Sequence, residues 1–377
     1  MKTPSTLGRS LRCPSAIVAL LLAFLAVASC GNDGKPASEG GNLHHAEWLR
    51  LTDAAEYSVA IVLNPWQKGE VLHRYVLENR PGAAPDSIEG TRIAVPLQRA
   101  VGGISAHVLL AFRLGAGECF AGITDAAYVT SPILRSALEE GRLKDCGQGM
   151  SPNLETLAAL KPAALLLSPF NNSGYGALEH LGIPIVECAD YMETSPLGRA
   201  EWMRFYGRLY GRAAEADSLF AAEEARYRDV CRKQRPTEGR RPRLMADCLT
   251  GDVWYVPGGK SYMAQMLLDA GFDYPFADIP QTGGVPLSFE TVFTKTHDAD
   301  IWIIRTAGRT SYASLTATDG RYNGFKAFRE RNIWICNTME RPYYDEVPFA
   351  PATLLEELSA LRTAKASDSL RYFTRLP

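Results

Sequence analysis

The amino-acid sequence predicts an α/β fold in which two Rossmann-like lobes are joined by a single long spine helix, with an N-terminal β-hairpin on the first lobe. Short apolar segments alternate with helical segments on both sides of the middle of the chain. This alternation is typical of parallel sheets that are covered by helices on both faces. Between the two regions, Ser195–Gln234 is a nearly continuous helical pattern, whereas the mean globular helix has about 11–12 residues.

Residues 1–29 have the pattern of a secretory signal peptide, because a basic start precedes an apolar segment that is too short to span a membrane. The segment Val27–Cys30 reads VASC and resembles the lipobox of bacterial lipoproteins. That resemblance implies cleavage before Cys30 and a lipid on this cysteine, while an ordinary signal peptide cut near Ala28 is the alternative. Residues 30–46 would then form the lipidated cysteine and a flexible tether, since they are rich in small and polar residues.

The rest of the chain divides at the spine helix. We expect an N-terminal α/β lobe with the hairpin over residues 47–211, the spine over residues 212–234 and a C-terminal α/β lobe over residues 235–377. The break is placed at Gly207–Gly211, because each glycine costs a helix about 1 kcal/mol relative to alanine. A connection made by a single helix predicts that the lobes move little relative to each other.

A hairpin and a βα alternation define the first lobe. Two β-branched segments flank Asn64–Pro65 within Glu56–Arg80 and predict the antiparallel hairpin. The first helix is expected to be capped by Ser105 and closed by Gly115. The expected strands read RIAVPL, CFAGIT, LKDCG, AALLLSPF and IPIVECAD, and the expected helices read SAHVLLAFRL, SPILRSALEEG, SPNLETLAALK and GYGALEHLG.

The same alternation predicts the second lobe after the spine. The expected strands read RLMADCL, ADIWIIRT and IWICN, and the expected helices read SYMAQMLLDAG, LSFETVFTKT, NGFKAFRERN and PATLLEELSALRT. Because the pattern repeats, we expect the second lobe to be built like the first.

Composition and motifs exclude several functions. The formal net charge is −2, whereas a nucleic-acid-binding domain is expected to carry a clustered basic patch. The six cysteines after Cys30 are widely spaced without a CxxC pair, so a zinc site is not expected, while disulfides stay open beside buried free thiols. PGGKS lacks the first glycine of a phosphate-binding loop, and no positioned acid and base pair is visible. We therefore expect no enzyme activity and no resident cofactor or metal.

The loops that follow strands carry aromatic and polar residues, and open α/β sheets bind ligands beyond the carboxyl ends of their strands. The candidate cleft residues are Ser105, His107, Phe170, Asn171, Tyr175, Trp254, Tyr255, Arg305, Arg309, Arg341, Tyr343 and Tyr344. Aromatic faces would supply contact area and arginines would hold acidic groups, which predicts a large, partly flat and anionic ligand. Each aromatic residue alone could equally be a half-buried surface residue. His107 could be a metal ligand instead of a cleft or capping residue.

Two segments, Ser151–Ser168 in the first lobe and Pro286–Arg305 in the second, have similar sequence patterns. Each has Asn or Ser, an apolar residue, Glu and Thr, then a helix and a buried strand, which places Glu155 and Glu290 in equivalent positions. Both carboxylates fall in the first turn of a helix, where they favour the positive end of the dipole by about 0.3–1 kcal/mol. The alternative is that each lobe presents one acidic side chain to a basic partner surface.

A family resemblance rests on NLETLAALKP, LSFETVF…DADIWII, GKSYMAQMLLDAG and the terminal PATLLEEL. Their order and spacing resemble the iron-chelate/vitamin B12 class of substrate-binding proteins of ABC importers. NPWQ, SPLGRAEWMRFYGRLYG and GDVWYVPGGKS resemble a lipoprotein branch of that class in Bacteroidetes-type bacteria. The similarity covers residues 64–376, and residues 92–362 most strictly.

The resemblance implies a monomeric binding protein that is lipid-anchored in the bacterial cell envelope and faces the periplasm. It implies an iron chelate (siderophore or haem) or cobalamin held between two lobes, and docking of Glu155 and Glu290 on arginines of a permease dimer that works with an ATPase. NTMERPYYDEVPF stands where that branch has a glycine-rich loop with Trp, so the identity of the ligand stays open. The alternatives are a binding protein for a bare metal ion or another small molecule, and a chelatase-like enzyme.

Overall fold

The computed structural model describes residues 43–149, 151–171, 174–233, 240–363 and 370–377. Within them the chain forms two α/β lobes connected through a long helix, which confirms the predicted fold class. The predicted signal peptide, Cys30 and most of the predicted tether lie outside the described residues. Across the described ranges, no helix is both long and apolar enough to cross a membrane.

A four-stranded sheet opens the first lobe, with the strand order β1-β2-β3-β4. Its strands are β1 (Leu49–Asp53), β2 (Tyr57–Leu63), β3 (Val71–Glu78) and β4 (Thr91–Ala94). β2 and β3 are antiparallel, which confirms the predicted hairpin, and Ala60 and Val62 of β2 alternate into the core. β4 pairs in parallel with β3, so the RIAVPL segment extends the hairpin sheet instead of opening the parallel sheet.

The parallel sheet of the first lobe has the order β11-β10-β5-β6-β7. The strands are β5 (Ala100–Gly102), β6 (Phe120–Ile123), β7 (Lys144–Asp145), β8 (Gly147–Gln148), β9 (Ser151–Pro152), β10 (Leu165–Leu167) and β11 (Ile185–Glu187), with β8 and β9 forming a small separate ladder. The helices of this region are α1 (Ser105–Arg113), α2 (Pro132–Glu139) and α3 (Leu154–Leu160). The sequence does not predict β5, because three residues are too few to show a periodicity. The segment GYGALEHLG, expected to be a helix, forms a 3₁₀ helix over Gly176–Leu181.

Three helices replace the long helical pattern in the middle of the chain. They are α4 (Pro196–Glu201), α5 (Met203–Leu209) and α6 (Ala213–Lys233). Gly211 has a φ of +66°, and this left-handed residue ends α5 and redirects the chain into α6. Ala216 and Phe220 of α6 pack in the core of the first lobe, while Tyr227 and Val230 pack in the core of the second.

The second lobe contains one four-stranded sheet of order β12-β16-β17-β18 and one antiparallel sheet of order β13-β14-β15. The strands are β12 (Leu244–Ala246), β13 (Leu249–Thr250), β14 (Val253–Pro257), β15 (Gly284–Leu287), β16 (Ile301–Thr306), β17 (Ile333–Asn337) and β18 (Thr374–Arg375). The helices are α7 (Tyr262–Asp269), α8 (Phe289–Thr296), α9 (Tyr312–Thr318), α10 (Lys326–Arg329), α11 (Tyr343–Glu346) and α12 (Pro351–Leu361). The antiparallel sheet was not predicted, and it has no counterpart in the alternation that defines the first lobe.

The two lobes interlock beyond their covalent connection. Phe349, which lies between α11 and α12, is buried in the core of the first lobe with its ring centroid 5.6 Å from that of Tyr206. Leu197 of α4 is buried in the core of the second lobe. Glu223 of α6 accepts a hydrogen bond from the backbone N–H of Ala352 at 2.7 Å and so caps α12. The spine helix is therefore fixed to both lobes.

The cysteines are free thiols throughout the part of the chain that the structure describes. Cys119, Cys146, Cys188 and Cys336 are buried, and Cys231 and Cys248 are half-buried. Burial raises the pKa of the Cys119 and Cys146 thiols to about 11. These side chains are core residues of low reactivity.

Replacement of Gly211 by alanine is expected to destabilise the corner between α5 and α6. A Cβ atom there would lie 2.9 Å from the Cβ of Pro96, and the φ of +66° is one that L-residues rarely adopt. Left-handed strain of about 1 kcal/mol and overpacking of about 1 kcal/mol predict a loss of about 2 kcal/mol in the free energy of unfolding. Chemical denaturation of Gly211→Ala measures this loss.

Gly308→Ala is the matched control, because a Cβ atom at Gly308 meets no atom within 4 Å. Its expected effect is below about 0.5 kcal/mol. Equal losses for the two variants would contradict the assignment of strain to Gly211.

Candidate ligand-binding cleft

A cavity of about 600 Å³ lies at the carboxyl ends of the parallel strands of the first lobe. Gly103 follows β5, Asp125 follows β6 and Leu167 ends β10, and the loop after β10 adds Phe170 and Tyr175 to the wall. This is where open α/β sheets place ligands. The volume falls in the range of about 300–1,000 Å³ that is usual for small-molecule sites. We call it the first-lobe cavity.

A second cavity, of about 420 Å³, lies between the two lobes. From the second lobe, Asp247 follows β12, Arg305 lies near the end of β16, and Tyr255 belongs to β14. Tyr191 and Arg199 contribute from the first lobe, just before α4 and within it. We call it the inter-lobe cavity, because both lobes form its wall.

The two cavities adjoin at a pair of aromatic rings. Phe170 lines the first-lobe cavity and Tyr191 lines the inter-lobe cavity, and their ring centroids are 6.5 Å apart. The Tyr191 hydroxyl donates a hydrogen bond to the backbone oxygen of Pro169 at 2.5 Å, which fixes this border. One ligand that spans the border would therefore contact both lobes.

Several residues that the sequence analysis singled out line these cavities. Phe170 and Tyr175 lie in the wall of the first-lobe cavity, and Tyr255, Arg305 and Tyr344 lie in the wall of the inter-lobe cavity. Phe170, Tyr255 and Tyr344 are 47%, 49% and 55% exposed, so their ring faces are available to a ligand. The role of these residues in binding stays a prediction.

The prediction that Trp254 and His107 line the cleft is wrong, because both side chains are buried in the cores. Trp254 is 0% exposed and its indole N–H donates to the backbone oxygen of Ala246 at 3.0 Å. Since β14 is a strand, neighbouring side chains point to opposite faces, and Tyr255 takes the cavity side. His107 is 1% exposed and lies behind the cavity walls.

The other candidate residues have different places. Asn171 and Arg309 are exposed and lie outside both cavity walls. Arg341 donates hydrogen bonds to the backbone oxygen of Arg371 at 3.3 Å and to the Thr374 hydroxyl at 3.4 Å. Tyr343 is buried, with its ring centroid 5.9 Å from the Arg305 guanidinium carbon, and Ser105 lies in a contact between the lobes.

An ion pair forms part of the wall of the inter-lobe cavity. Arg305 donates two hydrogen bonds to Asp247, at 3.0 and 2.5 Å. Burial alone would lower the pKa of the Arg305 guanidinium, but the adjacent carboxylate of Asp247 raises it well above its ordinary value. The charge of Arg305 is therefore permanent and already balanced by its partner.

A buried network supports Arg199 at the opposite side of the inter-lobe cavity. Asp190 accepts hydrogen bonds from Arg199 at 3.1 Å and from Tyr206 at 2.9 Å, and its other neighbour is the Nε2 atom of His107 at 2.9 Å. Burial alone would raise the pKa of Asp190, but these partners lower it to about 2. The Arg199 guanidinium carbon also lies 4.9 Å from the ring centroid of Tyr262, across the lobe boundary.

Three carboxylates at or behind the cavity walls are not among the predicted cleft residues, although their positions in the sequence indicate them. Asp125, Asp190 and Asp247 each stand within three residues of the end of a strand, at β6, β11 and β12. The rule that loops after parallel strands carry ligand-binding groups applies to them as well as to the aromatic residues.

The carboxylate of Asp345 in α11 connects the two lobes near the carboxyl ends of their parallel strands. Its Oδ1 atom accepts a hydrogen bond from the Ser105 hydroxyl at 2.5 Å. Its Oδ2 atom accepts from the backbone N–H groups of Thr130 and Ser131 at 3.0 and 2.7 Å, and from the Thr130 hydroxyl at 2.8 Å. Asp345 is 3% exposed and faces the starts of α1 and α2, whose dipoles favour a negative charge. We call these four hydrogen bonds the inter-lobe clamp.

Glu155 and Glu290 occupy the matching positions that the sequence predicts. Each is exposed in the first turn of its helix, α3 or α8, after an N-cap residue whose side chain accepts a backbone hydrogen bond. Glu290 pairs with Arg321 at 2.8 Å, whereas Glu155 has no ion-pair partner among the residues described. Their role in docking stays a prediction.

In the described part of the chain, no cluster of three or more His, Cys, Asp or Glu side chains could hold a metal ion. The candidate site consists of two adjoining cavities with aromatic walls; its arginines are paired with carboxylates, and Asp125 has no ion-pair partner among the described residues. Such walls suit an organic ligand, because they offer aromatic ring faces and hydrogen-bonding groups instead of a set of side chains that coordinate a metal ion.

Comparison with known sequences identifies the family. The sequence model described as "Periplasmic binding protein" matches residues 121–338. A relative named "Uncharacterized lipoprotein MJ0878", from Methanocaldococcus jannaschii, is 28% identical over 211 residues, which are 53% of this chain and 49% of the relative. The chain thus spans about half the length of that relative.

Solved structures share the fold. A periplasmic heme binding protein from Pseudomonas aeruginosa aligns with a TM-score of 0.56 and 18% identity, over 74% of this chain and 98% of that chain. An ABC-type Fe3+-hydroxamate transport system protein from Saccharomonospora viridis aligns with a TM-score of 0.55 and 22% identity, over 71% of this chain and 94% of that chain. At identities of 18% and 22%, these comparisons show a shared fold and nothing further.

Replacement of Asp345 by asparagine is expected to break the inter-lobe clamp. The amide oxygen can still accept from Thr130 and Ser131, but the NH₂ group then replaces the acceptor of the Ser105 hydroxyl, and the negative charge that the starts of α1 and α2 favour is lost. Loss of one buried hydrogen bond, together with the loss of charge from the other three, predicts a decrease of about 2 kcal/mol in the free energy of unfolding. Chemical denaturation of Asp345→Asn measures this decrease.

Asp278→Asn is the control, because Asp278 is 73% exposed and pairs with Lys295 on the surface. It is expected to change the free energy of unfolding by less than about 1 kcal/mol. If Asp345→Asn were as mild as this control, the clamp would not hold the lobes together.

Proposed function

Because the chain belongs to the periplasmic binding protein family and is a solute-binding protein rather than an enzyme, we propose that it is the substrate-binding lipoprotein of an ABC importer. It captures a metal chelate, which is an iron siderophore, haem or cobalamin, and delivers it to the permease. The two adjoining cavities carry this proposal, since Phe170, Tyr175, Tyr255 and Tyr344 offer aromatic faces to a large, partly flat ligand. A haem-binding protein and an Fe3+-hydroxamate transport protein with the same fold support this choice of ligand class.

The proposed location is the bacterial cell envelope, with the protein as a monomer that faces the periplasm. Cys30 carries the lipid anchor in this proposal. The tether, which the sequence predicts over residues 30–46, is limited to residues 30–42, because the backbone N–H groups of residues 44–46 donate hydrogen bonds to Glu201 of the first lobe. The name of the archaeal relative, a lipoprotein, supports this view. The partner is a permease dimer with its ATPase.

Phe170→Ala is expected to weaken chelate binding about fivefold. The ring is 47% exposed at the border of the two cavities, and loss of one aromatic contact removes about 1 kcal/mol of binding energy. Ultraviolet–visible titration of the wild type and the variant with haem, cobalamin and ferric siderophores measures this change. Binding of none of these chelates to the wild type would contradict the proposed function.

Tyr128→Ala is the matched control, because Tyr128 is 64% exposed and lies outside both cavity walls. Its affinity is expected to equal that of the wild type. Equal weakening by both variants would place the ligand elsewhere on the surface.

The double variant Glu155→Arg with Glu290→Arg is expected to abolish transport and to leave chelate affinity unchanged. Both side chains are exposed and lie outside the cavity walls, so charge reversal changes the surface offered to the permease. Uptake by cells that carry the importer measures transport, and titration of the purified variant measures affinity. Lost affinity would show that these carboxylates belong to the site or to the fold.

Glu118→Arg with Glu330→Arg is the control for this charge reversal. These glutamates are 74% and 58% exposed, and one lies on each lobe. Transport should continue in this variant. An equal loss of transport would indicate a general effect of surface charge.

A further inference from the structure

The arginines of the inter-lobe cavity are already neutralised by the protein. Arg305 contacts Asp247 at 3.0 and 2.5 Å, and Arg199 contacts Asp190 at 3.1 Å. At Arg305, an acidic group on a ligand would also meet the carboxylate of Asp247 in the same wall, so attraction and repulsion would nearly cancel. At Arg199, the buried carboxylate of Asp190 balances the charge from behind the wall and weakens its attraction for an anion. The expectation that free arginines hold an anionic ligand is therefore not supported by the charge balance of this cavity.

The first-lobe cavity carries a carboxylate without a cationic partner. Asp125 is the charged side chain among the described residues of its wall, and no described Lys, Arg or His pairs with it. Its Oδ2 atom accepts a hydrogen bond from the backbone N–H of Gly149 at 3.1 Å. A carboxylate has about four acceptor positions, so most of them are left for a ligand.

The backbone holds this carboxylate in place. Asp125 has a φ of +54° and Asp247 has a φ of +60°, which is the left-handed region that few non-glycine residues adopt. Both residues follow parallel strands and line a cavity, and such backbone outliers cluster at functional sites. A Cβ atom at Gly149 would lie 2.6 Å from the Oδ2 atom of Asp125, so any other residue at this position would displace the carboxylate.

Apolar side chains form much of the remaining wall of the first-lobe cavity. Ile104, Leu154 and Leu167 lie there together with Phe170. A ligand that fills this cavity removes water from Asp125, and a carboxylate that loses water requires a hydrogen-bond donor or a cation in its place. The occupant therefore needs an apolar body with at least one donor group.

We infer that the first-lobe cavity selects metal chelates whose periphery carries amide or ammonium donors, and that Asp125 accepts a hydrogen bond from one of these donors. The inference rests on the proposed function and narrows its ligand class. Chelates with ionised carboxylates on their rim bind less well, because Asp125 repels them and the paired arginines attract them little.

Matched pairs of chelates test this selection. The pairs are cobinamide and cobyrinic acid, haemin diamide and haemin, and ferrioxamine B and its N-succinyl derivative. Within each pair the first member carries an amide or ammonium where the second carries a carboxylate, and both members absorb visible light. We expect the first member of any pair that binds to bind at least tenfold more tightly to the wild type. Asp125→Asn should reduce this ratio to about threefold or less, because asparagine tolerates the same backbone conformation and removes the charge.

Asp86→Asn is the control, since Asp86 is fully exposed and lies outside both cavities. It should keep the wild-type ratio. A carboxylate member that binds as tightly as its partner, or a ratio that Asp125→Asn leaves unchanged, would overturn this inference while the proposed function stands. Binding of no member of any pair would contradict the proposed function, and this inference with it.

Discussion

The inter-lobe clamp of Asp345 is the contact on which the geometry of the cleft depends. One buried carboxylate accepts hydrogen bonds from two hydroxyls and two backbone N–H groups of the first lobe, beside the starts of α1 and α2. Because Asp345 itself follows β17, it ties the carboxyl end of one sheet to that of the other. This contact therefore helps to set the separation between the walls of the inter-lobe cavity, with Arg199 on one side and Asp247 on the other.

Packing and helix capping reinforce the clamp. Phe349 is inserted into the core of the first lobe, Leu197 is inserted into the core of the second, and Glu223 of α6 caps α12. A hinge made of flexible strands would allow wide opening, whereas these contacts would all have to break together. The cleft is thus preformed, and a preformed site loses less entropy when a ligand binds.

The lobes and the hairpin could be predicted from local periodicity. Of the two glycines at which the sequence places the helix break, Gly211 lies at the break, whereas Gly207 is inside α5. The prediction for Trp254 is wrong because its segment has the composition of a loop but forms β14, along which Trp254 and Tyr255 point to opposite faces. The pairing of Arg305 with Asp247 joins residues 58 positions apart, and no local pattern reports such a contact. The charge balance of the cleft is therefore visible only in the three-dimensional structure, and it is the basis on which we infer a ligand with donor groups instead of an anionic one.

Hydrogen exchange of the Thr130 and Ser131 amides tests the central claim most directly, because their N–H groups donate to Asp345. If the clamp is permanent, these amides exchange as slowly as the core strands, and addition of a bound chelate leaves their rates unchanged. Fast exchange in the free protein that becomes slow only with the chelate would show that the clamp forms on binding. That result would contradict a preformed cleft.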